Sequence, residues 1–266
     1  MQERTSQELS CGQIDLWVVF SEDLQDDRLV REYHRLMSED ERSKELRFHF
    51  ARDRERYRIT RALVRTVLSR YAMVQPEDWQ FHDTYYGKPA IYNGSPGCGR
   101  LRFNISHTHG LIMLGVTSEH QLGVDTESHC RRPVPLDVAA RFFSVREAED
   151  IRDTPPEMQA QRFYDYWTLK ESFMKATGKG LSIPLDQVTF ELTRDHIRAT
   201  FDSGLAKNRE GWKFWQLCPS SDHVAAVCVE RCESREQRLS VRRIVPLASD
   251  EPLSYAMKRS SDHGLN

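Results

Sequence analysis

The chain has 266 residues, enough to bury a sizeable core as one large domain or two modest ones. A hydrophobic share of 39% and a charged share of 29% are ordinary for a soluble globular protein. The formal net charge of −2 gives no global pull toward nucleic acid or membrane, so an anionic ligand has to be held by a local basic patch.

Met1 to Gly12 is polar and lacks the apolar segment of a signal peptide. No run approaches the roughly 18 apolar residues of a bilayer span. Cys11, Cys98, Cys130, Cys218, Cys228 and Cys232 are scattered. Cys228 and Cys232 form CxxxC with no partner CxxC, so the cysteines read as free thiols rather than a zinc site. The expected location is cytoplasmic.

Ile14 to Phe20 is β-branched and aromatic and reads as a strand. Ser38 with Glu41 is a capping box that opens a short helix through Phe48. Asp53 to Tyr71 is a longer helix, with Ile59, Leu63, Val64, Val67, Leu68 and Tyr71 at helical spacing and arginines opposite. Trp79 to Thr84 reads as a short strand stopped by the Gly87–Lys88–Pro89 turn, and Asn93 to Gly99 as a loop. Strands follow at Leu101 to Ile105, Leu111 to Thr117 and Leu122 to Thr126. Ser128 to Pro135 is irregular and a candidate boundary.

Ser144 with Glu147, and Thr154 with Glu157, are two further capping boxes. The second opens a helix to about Thr177 that Gly178 would end. Val188 to Leu192, His196 to Phe201, Trp212 to Cys218 and His223 to Glu230 read as strands. The polar tail from about Ala248 reads as disordered. Segregated runs of strands and helices argue α+β, in two halves. No residue-level repeat proves duplication.

Four motifs carry chemistry. In Gly123–Val124–Asp125–Thr126–Glu127 the two carboxylates lie two apart on a strand and face one way. At about 6 Å they repel by roughly 2–3 kcal/mol at an effective dielectric near 20. A hard divalent cation relieves that repulsion, although a solvent-facing strand end would carry it at little cost. On the predicted helix Glu171 and Lys175 share a face one turn apart. They are either a surface ion pair worth about 0.3–0.5 kcal/mol or a metal ligand, or base, beside a phosphate contact.

Asn104–Ile105–Ser106–His107 could donate to a phosphate. Ser106 activated by His107 is disfavoured, because adjacent side chains on an extended chain diverge. His107 and His109 lack a third partner as metal ligands. Tyr86–Gly87–Lys88–Pro89 is a turn presenting a lysine.

Taken in order, YGKP, NISH, GVDTE, F-F-S-x-x-E and W-x-L-K-E-S-F-x-K-x-x-G-K-G-L resemble the surfactin-synthetase-type phosphopantetheinyl transferases of the holo-acyl-carrier-protein synthase superfamily. The resemblance runs from about Ile14 to Glu230. It implies an α+β fold of two similar halves packed pseudo-symmetrically with the active site between them. The expected division is 1–119, 120–247 and a tail of 248–266. It implies transfer of the phosphopantetheine arm of coenzyme A to a serine of an acyl or peptidyl carrier protein, with Mg²⁺ (or Mn²⁺) as cofactor.

By the same resemblance Asp125, Glu127 and Glu171 hold the metal, and Glu171 and Lys175 are catalytic. Lys44, Gly87, Lys88, Pro89, Ser106, His107 and Lys175 bind coenzyme A. Glu41 stands where the family has a second lysine, leaving Arg42, Arg47 or Arg56 to compensate. A site built within one chain favours a monomer, with no nucleic-acid or membrane partner. The rivals are a metal-dependent phosphohydrolase and a non-enzymatic coenzyme A or carrier-binding module.

Overall fold

The computed structural model describes residues 9–24, 26–92, 98–129, 141–202, 205, 211–232 and 234–261. Most of the 93–99 loop and of the 128–135 boundary therefore lie outside the described residues, as does Cys130.

The first half opens with strand β1 (Gln13–Phe20), then helices α1 (Asp27–Leu36), α2 (Glu39–Leu46) and α3 (Ala51–Leu68). A small hairpin, β2 (Phe81–Asp83) with β3 (Pro89–Ile91), precedes the long strands β4 (Leu101–Thr108) and β5 (Leu111–Ser118). The second half has β6 (Leu122–Ser128), α4 (Val145–Asp153) and α5 (Pro156–Thr177). The hairpin β7 (Val188–Leu192) with β8 (Ile197–Phe201) follows, then β9 (Trp212–Ser220) and β10 (His223–Glu230). The chain closes with β11 (Arg238–Val245), β12 (Ser249–Pro252) and β13 (Ala256–Ser260).

The architecture is α+β. One sheet has the order β12-β11-β1-β5-β4 and the other β13-β9-β10-β6. Strand alternation divides the core. On β1, Trp17 and Val19 face α3, while Ile14, Leu16 and Val18 face the second sheet. On β10, Ala225, Val227 and Val229 face the first sheet, while Val224, Ala226 and Cys228 face α5. The layers therefore run helices, sheet, sheet, helix. Each fully buried aliphatic side chain contributes about 1.5–3 kcal/mol.

Two expectations are corrected. The described part of the tail is ordered: residues 249–252 pair with β11, and 256–260 pair with β9. It is held by charge, since Asp250 accepts from Arg70 (2.7 Å) and Arg242 (2.5 Å). Likewise Lys258 and Arg259 donate to the buried Asp165, at 2.6 and 3.1 Å. Such ties escape a reading of hydrophobic pattern. The half expected to end at 247 also shares its strands, because β11 pairs parallel to β1 in the first sheet.

Of the three capping boxes, those at Ser38 and Ser144 form. The one at Thr154 does not. Pro155 and Pro156 set the start of α5 without a side-chain cap, and the Thr154 hydroxyl donates back to the Asp150 carbonyl instead (2.7 Å). Gly178 ends α5 in the left-handed conformation at φ 66°.

Candidate active site

The acidic residues sit where the edges of the two sheets meet. Strand β6 gives one backbone edge to β10, and its other edge faces β4. No backbone ladder joins β4 to β6; side chains substitute for it. Asn104 Oδ1 accepts from Val124 N–H (2.8 Å), and Ser106 Oγ accepts from Thr126 N–H (3.3 Å). The Thr108 hydroxyl donates to Glu127 Oε2 (3.2 Å). These are alternate residues of β4, so the N-I-S-H motif is the zipper that fixes β6.

On the α5 side of β6, Gly123 allows the strand to lie directly on the helix backbone. A Cβ there would fall well under 3.0 Å from Ser172 O and Ala176 N. Asp125 and Glu127 follow on the same face, and Glu171 and Lys175 project from the helix above them.

Asp125 is buried. Its Oδ1 accepts from the Ser106 hydroxyl (2.8 Å) and Lys175 Nζ (2.6 Å), while its Oδ2 is buried without a hydrogen-bond partner. Lys175 Nζ also donates to Ser106 Oγ (3.0 Å), so one of its three N–H groups is left for a ligand. Burial first, then the charges of Asp125 and Glu127, push Glu171 up to about 7 against the pull of Lys175. All three expected acids thus share one electrostatic environment. Their oxygens stand wider apart than a single ion would hold them: among the described residues the one such closed group is Cys11, His120 and Cys232. Lys175 Nζ occupies Asp125 Oδ1.

The other expected residues separate into two sets. Lys44 and Pro89 line a cavity of about 520 Å³ together with Tyr57, Arg61, Phe81 and Tyr92. His107 is exposed on β4, and crowding by protein, then the charge of Arg56, push it below its ordinary value. These residues face open space. Ser106 and Lys88 do not. Ser106 is buried in the zipper just described. Lys88 Nζ donates to the backbone carbonyls of Leu122 (2.9 Å) and Lys175 (2.8 Å), tying the start of β6 to the end of α5, and burial pushes it down to about 8. Gly87 supplies the turn before it at φ 80°.

Glu41 is an anchor. It accepts from Arg65 (2.8 Å) and Arg61 while closing its own capping box. Of the compensating arginines proposed from sequence, Arg56 is the one whose charge reaches His107. Sequence reasoning missed Asn104 as a support and Gly123 as the contact between strand and helix. The motifs themselves were the available signal for both.

A carboxylate with one buried oxygen unpartnered, a second carboxyl poised near neutrality and an ammonium between them are the equipment of an enzyme. Residues 121–228 match the family described as the 4′-phosphopantetheinyl transferase superfamily, and residues 27–119 match the family described as 4′-phosphopantetheinyl transferase, N-terminal. The 4′-phosphopantetheinyl transferase HetI of Nostoc sp. is 33% identical over 194 residues, 73% of this chain and 78% of that protein. The 4′-phosphopantetheinyl transferase Sfp of Bacillus subtilis is 36% identical over 159 residues, 60% of this chain and 68% of that protein. The crystal structure of Thermotoga maritima holo-[acyl-carrier-protein] synthase shows 20% identity and covers 44% of this chain and 64% of that one. Its TM-score of 0.33 is too low to carry an argument. The chain belongs to the 4′-phosphopantetheinyl transferase superfamily. With membership comes the activity of the class, transfer of 4′-phosphopantetheine to carrier proteins. Among the described residues, no helix is long and apolar enough to cross a membrane.

Proposed function

We propose that the chain moves the phosphopantetheine arm of coenzyme A to a serine of an acyl, peptidyl or polyketide carrier protein in a Mg²⁺-dependent reaction that releases adenosine bisphosphate. One observation carries this reading: Asp125, Glu127 and Glu171 face one another beside Lys175, and Asp125 Oδ2 is buried without a partner. The donor set is hard oxygen, which suits Mg²⁺ and equally Mn²⁺. Asp125, Glu127 and Glu171 would hold the ion, and its charge would offset that of the diphosphate.

The remaining steps belong to this chain's own side chains. Glu171 would take the proton of the carrier serine hydroxyl as that oxygen bonds to the phosphorus bearing the pantetheine arm. A carboxylate has two oxygens, so completing the acidic cluster does not prevent this role. The diphosphate P–O bond breaks, and adenosine bisphosphate leaves with the electron pair. Lys175, through its remaining N–H, would stabilise the charge growing on that leaving group. The cavity lined by Lys44 and Pro89 would take the adenosine end, and His107 with Arg56 would meet the phosphates. All of these groups come from one chain, which supports action as a monomer.

The test is the intact mass of a carrier protein after incubation with coenzyme A. A gain of the phosphopantetheine mass is expected with Mg²⁺. No gain is expected with a chelator, or with Asp125→Ala folded normally by circular dichroism. A gain indifferent to chelator would remove the metal from the reading. Phosphate release with no protein acceptor would make the chain a hydrolase.

A further inference from the structure

We propose that Cys11, His120 and Cys232 form a binding site for a thiophilic divalent cation, Zn²⁺ above all, where the chain enters β1, turns from β5 to β6 and leaves β10. This site shares no residue with the acidic cluster and does not depend on the reading of it. More than a hundred residues separate each of the three from the next along the chain, so no spacing in the sequence reveals the group.

The three ligand atoms all lie within 4.8 Å of one another. Cys11 Sγ is 3.4 Å from Cys232 Sγ and 4.0 Å from His120 Nε2. Zn–S bonds of about 2.3 Å and Zn–N bonds of about 2.0–2.1 Å in a tetrahedron put such atoms about 3.5–3.8 Å apart. Side-chain movements under about 1 Å would therefore close the site. Two sulfurs and an imidazole select Zn²⁺ over Mg²⁺, while the oxygen ligands of the acidic cluster have the opposite preference.

Backbone contacts hold the three positions together. Glu230 N–H donates to the Gln121 carbonyl (2.9 Å), and Gln121 N–H donates to the Glu230 carboxylate (3.3 Å). That pairing sets His120 beside the exit of β10 that leads to Cys232. Arg238 N–H donates to the Gly12 carbonyl (2.9 Å), and a Cβ on Gly12 would stand only 2.9 Å from the Glu236 carbonyl oxygen. The missing side chain thus lets the segment after Cys232 close on Cys11.

Coordination would form two Zn–S bonds and one Zn–N bond and release the thiol protons to the buffer. All three side chains are partly exposed, so a fourth position stays open to water. Arg235, whose charge reaches Cys11, opposes a cation, and the second thiolate offsets it.

Co²⁺ is the probe. The full-length protein, reduced and freed of metal, is titrated with Co²⁺. Uptake of one equivalent should produce an intense near-ultraviolet thiolate-to-cobalt band that one equivalent of Zn²⁺ abolishes. Cys11→Ser/Cys232→Ser keeps the other four cysteines and should lose the band. His120→Ala leaves both sulfurs and should weaken Co²⁺ binding by at least about tenfold. Circular dichroism of each variant separates lost ligands from lost folding. The proposal fails if the reduced protein gives no band, or if the band survives unchanged in the double variant. It fails equally if a Cys11–Cys232 disulfide forms under these conditions in place of metal uptake.

Discussion

Replacing Gly123 with alanine adds one methyl group at the contact that sets the spacing of the active site. The new Cβ would overlap Ser172 O and Ala176 N, and would stand 3.0 Å from Ala176 Cα. Ordinary contact begins near 3.4 Å, and all three neighbours are helix backbone that cannot rotate aside. Strand β6 and helix α5 must then part by more than about 1 Å, at an overpacking cost of about 1–3 kcal/mol. The strand carries Asp125 and Glu127, and the helix carries Glu171 and Lys175, so the same displacement opens the acidic cluster. A misplacement of about 1 Å among groups that must act together can cost on the order of 100-fold in rate. The expected result for Gly123→Ala is a folded protein that loses roughly 100-fold in carrier modification, followed by intact mass against time. Its melting temperature should fall by a few degrees. A rate within threefold of the parent would refute the claim that this flush contact holds the two groups of residues in place.

Three further outcomes follow from the same structure. Lys175→Ala should lower turnover by about 100- to 1000-fold, because it removes the proposed charge stabilisation on the leaving group and leaves Asp125 with the Ser106 hydroxyl but no cation; a change of only a few-fold in single-turnover assays would refute that role. Glu41→Lys should fail to create a phosphate site. It should instead cost about 3–5 kcal/mol in denaturant titrations, since Arg65 and Arg61 lose their buried partner and meet a third cation; a loss below about 1 kcal/mol would contradict the anchoring role. Asp250→Asn should lower stability at pH 7 by about 1.5–3 kcal/mol. Burial raises Asp250, but Arg70 and Arg242 outweigh it and hold its carboxyl below the usual value. Its contribution is therefore present above about pH 4 and lost as pH falls through the lower folded value. The gap between parent and variant in thermal melts should close in that acid range, and a gap independent of pH would count against the two-arginine clamp.

Strands and helices dictated by local apolar pattern were legible in the sequence. Strands β1, β5 and β10 are rich in Val, Ile, Leu and Ala, β9 carries Trp212, Phe214 and Trp215, and α3 repeats its apolar residues at helical spacing. Helix α1 was overlooked although Leu29, Tyr33 and Leu36 recur at helical spacing among its charges; they face the core, and the Tyr33 hydroxyl donates to Pro246 O (2.9 Å). Strand β11, with sequence RLSVRRIV, hides behind its arginines, of which Arg242 is spent on Asp250 and Arg243 on Asp23. Within the candidate site, the D-x-E pair and the Glu171–Lys175 spacing were legible, and the fold brings these groups together. The supports were not: the Ser106 hydroxyl and the Lys88 ammonium look like ligand contacts in one dimension. Only the fold reveals that their partners are Asp125, Leu122 O and Lys175 O.

The parallel pairing of β11 with β1 has a consequence for how the molecule is made. Gln13 aligns with Arg238, so more than two hundred residues must leave the ribosome before β1 gains its second neighbour. Until then the strand keeps an open edge that can recruit a strand from another nascent chain. Polypeptides interrupted before Arg238 should accordingly clump during synthesis, even though they already contain every residue of the acidic cluster.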